Sequence, residues 1–315
     1  MAYLRAFGSW LPPRRVSNEE LAPLVGATPE WILESTGILE RRYAEETDTV
    51  AGSGILAAKD CLEKAGAAAA EVGLILVASG SSARYCPGPA SGVAAGLGLS
   101  DTPAIDIPVA SCGSLIGLVL AAQLASHAGL VLVVGAEIMS RCVQRTPEGK
   151  DTAILFGDGA GACLVDAKVG FACIADFSLH TDGAFAGILT IEQGQIHMDG
   201  RSVILQACRK VPRVINELLE RNRMTAADPG VYLLHQANAN LIARVAASLK
   251  VSEERFFTNL ARYGNTSAAS LLIAVDEWHS KQTAPFSAPM IMSAFGAGLN
   301  WGALLAFPTS APSPK

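Results

Sequence analysis

The apolar residues of this chain come in short unbroken runs rather than in alternation with polar ones. Val72–Ser79 (VGLILVAS), Ala104–Ala110, Leu130–Gly135, Val231–Leu234 and Met290–Ala294 each predict a strand buried on both faces and ended by small or turn-forming residues. Longer Ala- and Leu-rich stretches predict helices over 50–65, 113–126, 203–222 and 241–249, with another beginning near Asn265. Buried strands alternating with helices predict an α/β architecture. The order of elements repeats, with matching strands offset by roughly 155–160 residues, a spacing far too long for a solenoid period. This predicts two related halves, 1–167 and 168–315. In that register the turn holding Asn265 falls opposite the turn holding Cys112. Halves that face each other would bring those turns to one interface, where pockets commonly form. The Pro- and Ser-rich tail, Pro308–Lys315, is expected to fray.

Composition narrows the function classes. Half of the 315 residues are hydrophobic and 17% are charged, enough for a large core. A net charge of −5, with no basic run, argues against nucleic-acid binding. The longest apolar segments, Ile116–Leu124 and Gly129–Gly135, are too short to span a bilayer, so no membrane insertion is expected. The start, Met1-Ala2-Tyr3-Leu4-Arg5, lacks the pattern of a secretory signal, and a cytoplasmic location is expected. Seven widely spaced cysteines include no CxxC pair, so no metal is expected and most thiols should be buried.

Three positions carry candidate chemistry. In Asp106–Ser114 (DIPVASCGS) a strand runs into a small-residue turn and a helix starts at Cys112. A helix N-terminus favours a thiolate, and the Cys112 N–H can point at an oxyanion. A buried cysteine is nevertheless more often packing than chemistry. His235 ends the strand Val231–Leu234, in the crevice where α/β proteins bind ligands; a hydrogen-bonded core histidine is an equal alternative. Asn265, before a helix, is most often an N-cap. Gly157–Ala162 (GDGAGA) precedes a strand-like Cys163-Leu164-Val165 rather than a helix, which argues against a dinucleotide fingerprint and predicts a tight turn. Phe295–Gly298 (FGAG) allows similarly close backbone approach, suited to an N–H donor.

Pro29-Glu30-Trp31-Ile32 with Thr36-Gly37-Ile38, the Cys112 turn, Phe156–Ala162 (FGDGAGA), His235–Asn238 (HQAN), Gly264–Ser270 (GNTSAAS) and Phe295–Gly302 (FGAGLNWG) follow one another in a specific order. In these motifs, nearly end to end, the sequence resembles β-ketoacyl-ACP synthase III, the initiating condensing enzyme of bacterial fatty-acid synthesis, and its relatives in secondary metabolism. The resemblance implies the five-layer αβαβα thiolase fold built from two duplicated halves, and a homodimer. It implies that Cys112 takes an acyl group from acyl-CoA, and that His235 and Asn265 then hold the carbonyl of a decarboxylating malonyl thioester. The N–H groups of Cys112 and Ala297 would hold the oxyanion. Trp31, Lys150, Gly200 and Asn238 would contact CoA; Cys86, Phe156, Leu189 and Met198 would line the acyl pocket. Acyl-CoA is then a substrate, and no cofactor is expected. No cysteine follows Cys208, so the second cysteine of a degradative thiolase is missing, and Asn265 stands where elongating synthases resemble a second histidine.

Some positions depart from the family pattern. Lys150 stands where an adenine-stacking arginine is common, and Ser35 replaces a second arginine. On the face that docks acyl carrier protein, Leu205 and Asn240 replace basic residues, with Arg209 and Arg244 one helical turn further on. Cys86 replaces a bulky aromatic, which predicts room for a longer or branched primer. These departures keep a second expectation open: a secondary-metabolism relative that passes the acyl group to an oxygen or nitrogen nucleophile, or condenses it with malonyl-CoA. A non-catalytic protein that kept the fold is opposed by the intact Cys112, His235 and Asn265.

Overall fold

A computed structural model of the chain describes residues 1–309. The main sheet strands are β1 (Ala2–Trp10), β2 (Val72–Ala78), β3 (Ala104–Ile107), β4 (Leu130–Ile138), β5 (Asp158–Asp166), β6 (Ala172–Thr181), β7 (Val231–Leu234), β8 (Phe256–Phe257), β9 (Met290–Gly296) and β10 (Asn300–Pro308). The helices that frame them are α1 (Val50–Ala65), α2 (Gly113–Ala128), α3 (Gly200–Arg221), α4 (Ala239–Leu249) and α5 (Ala269–Ser280). Strand order is β8-β7-β9-β10-β6-β1-β5-β4-β2-β3. Read outward from its middle, the sheet runs 1-5-4-2-3 on one side and 6-10-9-7-8 on the other, so each strand has a counterpart numbered five higher. The halves meet edge to edge through a short antiparallel pairing of Ala2–Leu4 with Ala172–Ile174.

Layering follows from which faces are apolar. Helices α2 and α5 touch strands of both half-sheets. Covered from two sides, α2 can be apolar almost all round, with Leu115 and Leu118 wholly inaccessible. Helix α1 covers the outer face of the first half-sheet, and α3, backed by α4, that of the second. Three hydrophobic cores result: one around α2 and α5, and one under each outer layer. This is the five-layer αβαβα duplication that the sequence led us to expect.

The chain differs locally from expectation in several places. Strands β1, β6 and β10 were not predicted. Their faces carry residues such as Arg5, Asp176 and His180 that break up the apolar run, and Arg5 is neutralised by Asp166 at 3.0 Å. Residues 158–162, expected as a turn, open the fully buried strand β5. Their glycines answer to a packed helix: a Cβ on Gly161 would lie 2.6 Å from the Leu272 side chain of α5. The last helix begins at Ala269, four residues beyond Asn265. Pro308, placed in the expected frayed tail, ends β10 opposite Ala172, while residues 310–315 of that tail lie outside the described residues. Among the described residues, no helix is long and apolar enough to cross a membrane.

Candidate active site

Cys112 sits at the N-cap of α2, after a sharp backbone reversal. Ser111 has φ 64°, and the Cys112 N–H donates to Ala110 O across 2.7 Å. That closes a three-residue turn of the rare, strained hand. The expected oxyanion donor is therefore engaged within its own turn, whereas the Ala297 N–H has no backbone acceptor among the described residues. The thiol is fully buried and donates weakly to Ala294 O at 3.7 Å. Burial pushes it up to about 12. The helix end favours a thiolate by only a fraction of that, so burial works against the thiolate that the helix N-terminus would favour.

His235 follows β7, and its N–H bonds Ser293 O of β9 at 2.8 Å. Its ring is buried, with Phe295 edge-on at 5.4 Å and 67°. Nδ1 lies 2.6 Å from Ser270 Oγ, the first turn of α5, while Nε2 has no partner among the described residues. Burial lowers the ring to about 3, so it is neutral at ordinary pH.

Asn265 does not cap the helix. It forms a parallel bridge with Phe156: its N–H donates to Leu155 O at 2.8 Å and its carbonyl accepts from Gly157 N at 3.1 Å. The side-chain Oδ1 accepts from Ser267 N at 2.9 Å, which orients the amide and leaves Nδ2 as a donor without a partner among the described residues. Ser267 then joins the halves, its Oγ accepting from Ser111 N at 3.0 Å. The Cys112 and Asn265 turns are thus bonded to each other, and His235 reaches them through Ser270 and Phe295.

Sequence reasoning quoted Ser267, Ser270 and Phe295 only as members of motifs, with no role of their own, and passed over Glu137. Glu137 is wholly buried and accepts from the N–H groups of Gly80, Ser81 and Ala268, tying β2's exit loop to the start of α5. A lone carboxylate in the run LVLVVGAEI was the available signal, since an acidic residue there must be paired. The roles of the two serines had no local signal, because their partners lie far away in the chain.

The remaining candidates divide by position. Leu189 and Met198 face each other across a small hairpin, Leu189–Glu192 with Gln195–Met198, and share one hydrophobic cluster with Phe156, Phe295 and Ala297. Cys86 is outside that cluster and exposed. Its neighbours Arg84 and Tyr85, with Asp106, Ala110, Ile191 and Ala297, line a cavity of about 380 Å³. Trp31 is half-exposed, with Lys150 Nζ 4.8 Å from its ring centroid, so this cation covers one face of the indole. Gly200 opens α3 behind its Asp199 cap. Asn238 caps α4, accepting from Asn240 N and Leu241 N and donating to Ser35 O, which spends most of its side-chain capacity on structure. Arg209 on α3 and Arg244 on α4 are exposed on neighbouring helices, Arg244 beside Cys208. Among the described residues no three His, Cys, Asp or Glu side chains gather in a metal-binding arrangement.

Residues 105–183 match the family 3-Oxoacyl-[acyl-carrier-protein (ACP)] synthase III, and residues 219–306 match 3-Oxoacyl-[acyl-carrier-protein (ACP)] synthase III C terminal. The chain is 36% identical to a β-ketoacyl-(acyl-carrier-protein) synthase III of Oleidesulfovibrio alaskensis, over 96% of this chain and 98% of that one. Among solved structures, the 3-oxoacyl-(acyl-carrier-protein) synthase III of Aquifex aeolicus superposes with a TM-score of 0.93 at 33% identity, covering 98% and 100% of the two chains. That of Pseudomonas aeruginosa gives 0.90 at 31%, covering 99% of each. With full-length coverage at this identity, the chain belongs to the β-ketoacyl-ACP synthase III family, condensing enzymes of the thiolase fold.

Proposed function

We propose that Cys112, His235 and Asn265 perform the condensation in two stages. In the first, Cys112 Sγ attacks the carbonyl of acyl-CoA. A new thioester bond forms, the bond to the CoA sulfur breaks, and the thiol proton leaves with CoA. The Ala297 N–H, which has no backbone acceptor among the described residues, donates to the oxyanion. In the second, a malonyl thioester loses CO₂, and the bonding pair moves to its thioester carbonyl as an enolate. His235 Nε2 and Asn265 Nδ2 donate to that oxygen. The enolate carbon attacks the acyl group, and Cys112 leaves as thiolate. A neutral histidine suits this task, because the bond it supplies strengthens as charge develops. Decarboxylation itself supplies the carbanion, so acyl-CoA is a substrate and the chemistry calls for no resident cofactor.

The observation that carries this reading is the Ser111–Ser267 hydrogen bond, which locks the nucleophile's turn against the turn whose Asn265 amide is an unspent donor. We assign Trp31 and Lys150 to CoA, Phe156, Leu189 and Met198 to the acyl chain, and the exposed pair Arg209 and Arg244 to an acidic acyl carrier protein. The reaction belongs in the cytoplasm, with its CoA substrate. A second copy would pair along β3, a sheet edge whose Ile105 is exposed, as are Leu120 and Leu124 of α2. The test is intact-mass measurement after incubation with a panel of acyl-CoAs. A single acyl adduct should appear on the peptide holding Cys112 and be absent from Cys112→Ala. No adduct with any chain length would overturn the assignment.

A further inference from the structure

We infer that Ser270 is a positioning residue that fixes the tautomer of His235: its hydroxyl proton is held by Nδ1, so Nε2 carries the ring proton and faces the substrate as a donor. The inference rests on the enolate-stabilising role proposed for His235, but its evidence is separate.

Ser270 Oγ has two neighbours within hydrogen-bond distance. The backbone N–H of Gln236 donates to it at 3.1 Å, and His235 Nδ1 lies at 2.6 Å. A serine hydroxyl has one proton and two lone pairs. Gln236 N–H can only donate, so it takes one lone pair. Among the described residues no carbonyl or carboxylate accepts from this hydroxyl, although serines inside helices often bond the carbonyl one turn back. The proton therefore has one acceptor in reach, Nδ1. In the opposite tautomer Oγ would accept two N–H groups and its own buried O–H would be left unpaired, an arrangement that folded proteins avoid. The pattern of donors settles the direction of the bond without reference to substrate.

The geometry is fixed on both sides. His235 and Gln236 are pinned by β9, through His235 N to Ser293 O at 2.8 Å, and by Gln236 Nε2 to Leu234 O at 2.7 Å. Ser270 is fully packed on α5, whose start is held by Glu137 through Ala268 N. Phe295 packs T-shaped against the imidazole, with ring centroids 5.4 Å apart. The hydrogen bond at one nitrogen thus decides what the other offers.

The test uses the full-length enzyme labelled with nitrogen-15 histidine, which has only five histidines to resolve. At neutral pH the His235 signals should show a protonated Nε2 and an unprotonated, hydrogen-bonded Nδ1. In Ser270→Ala the Nδ1 shift should move toward protonation, and turnover with malonyl-ACP should fall at least about tenfold in kcat with little change in KM. Ser270→Thr, which keeps the hydroxyl, should restore the wild-type signals and most of the turnover. A wild-type enzyme with its proton on Nδ1 would overturn the inference, as would a Ser270→Ala protein whose shifts and kcat match wild type. If Ser270→Ala does not fold, the wild-type shifts alone decide. If no variant, wild type included, condenses any substrate, the functional reading fails while the shifts still report the tautomer.

Discussion

Gly296→Ala isolates how far the C-terminal half sets the geometry of the nucleophile. A Cβ at this position would lie 2.1 Å from Ala110 O, 2.7 Å from Cys112 N and 2.8 Å from Ser111 Cβ. Ordinary contact between such atoms is about 3.5 Å, so the turn must retreat by roughly 1 Å. The contacts are mainly backbone, so no side-chain rotation can relieve them. Gly296 has no left-handed backbone to preserve, which leaves the overlap as the cause of any effect. Overpacking of this kind costs about 1–3 kcal/mol of stability. A nucleophile displaced by ~1 Å loses on the order of a hundredfold in rate. The assay is the rate of Cys112 acylation by intact mass, with thermal unfolding measured in parallel. Gly187→Ala, where a Cβ meets nothing within 4 Å, is the control and should be neutral in both. Acylation of Gly296→Ala within about threefold of wild type would refute the idea that this close approach positions Cys112.

Asn265→Ala should leave Cys112 acylation intact and slow condensation by about 10²–10³, the range for losing one oxyanion donor; loss of both stages would refute the role assigned to its Nδ2. Because burial raises the Cys112 thiol to about 12, its thiolate fraction should grow about tenfold per pH unit across the neutral range, and alkylation should climb from about pH 6 to about pH 9 without a plateau. A pH-independent rate there would mean that the resting enzyme holds a thiolate. Arg209→Glu with Arg244→Glu should raise KM for malonyl-ACP several-fold, more at low salt, and leave acylation by acyl-CoA unchanged; equal effects on both substrates would place these cations elsewhere in the cycle.

The strands at the centre of each half were legible because burial on both faces leaves an unmistakable apolar run, as in VGLILVA and LVLVVG. Strands β1 and β6 were not, because their polar positions are neutralised by partners such as Asp166 and Arg221 that only the fold brings near. The glycines of β5 show the same limit: their meaning lies in the helix packed on them.

For the site, the sequence determined which residues could do chemistry. The motifs around Cys112, His235 and Asn265 are local and ordered, and local order survives in a one-dimensional reading. What state those residues hold was decided by tertiary structure alone. The Cys112 thiol is pushed up, away from ionisation, because it is buried between two half-sheets and two central helices. The Asn265 amide keeps its Nδ2 donor unspent because Ser267 N takes its oxygen, and His235 presents Nε2 because Nδ1 is occupied by a serine 35 residues away. Protonation and hydrogen-bond direction depend on burial and on partners distant in the chain, and neither is a property of a residue in its own sequence context.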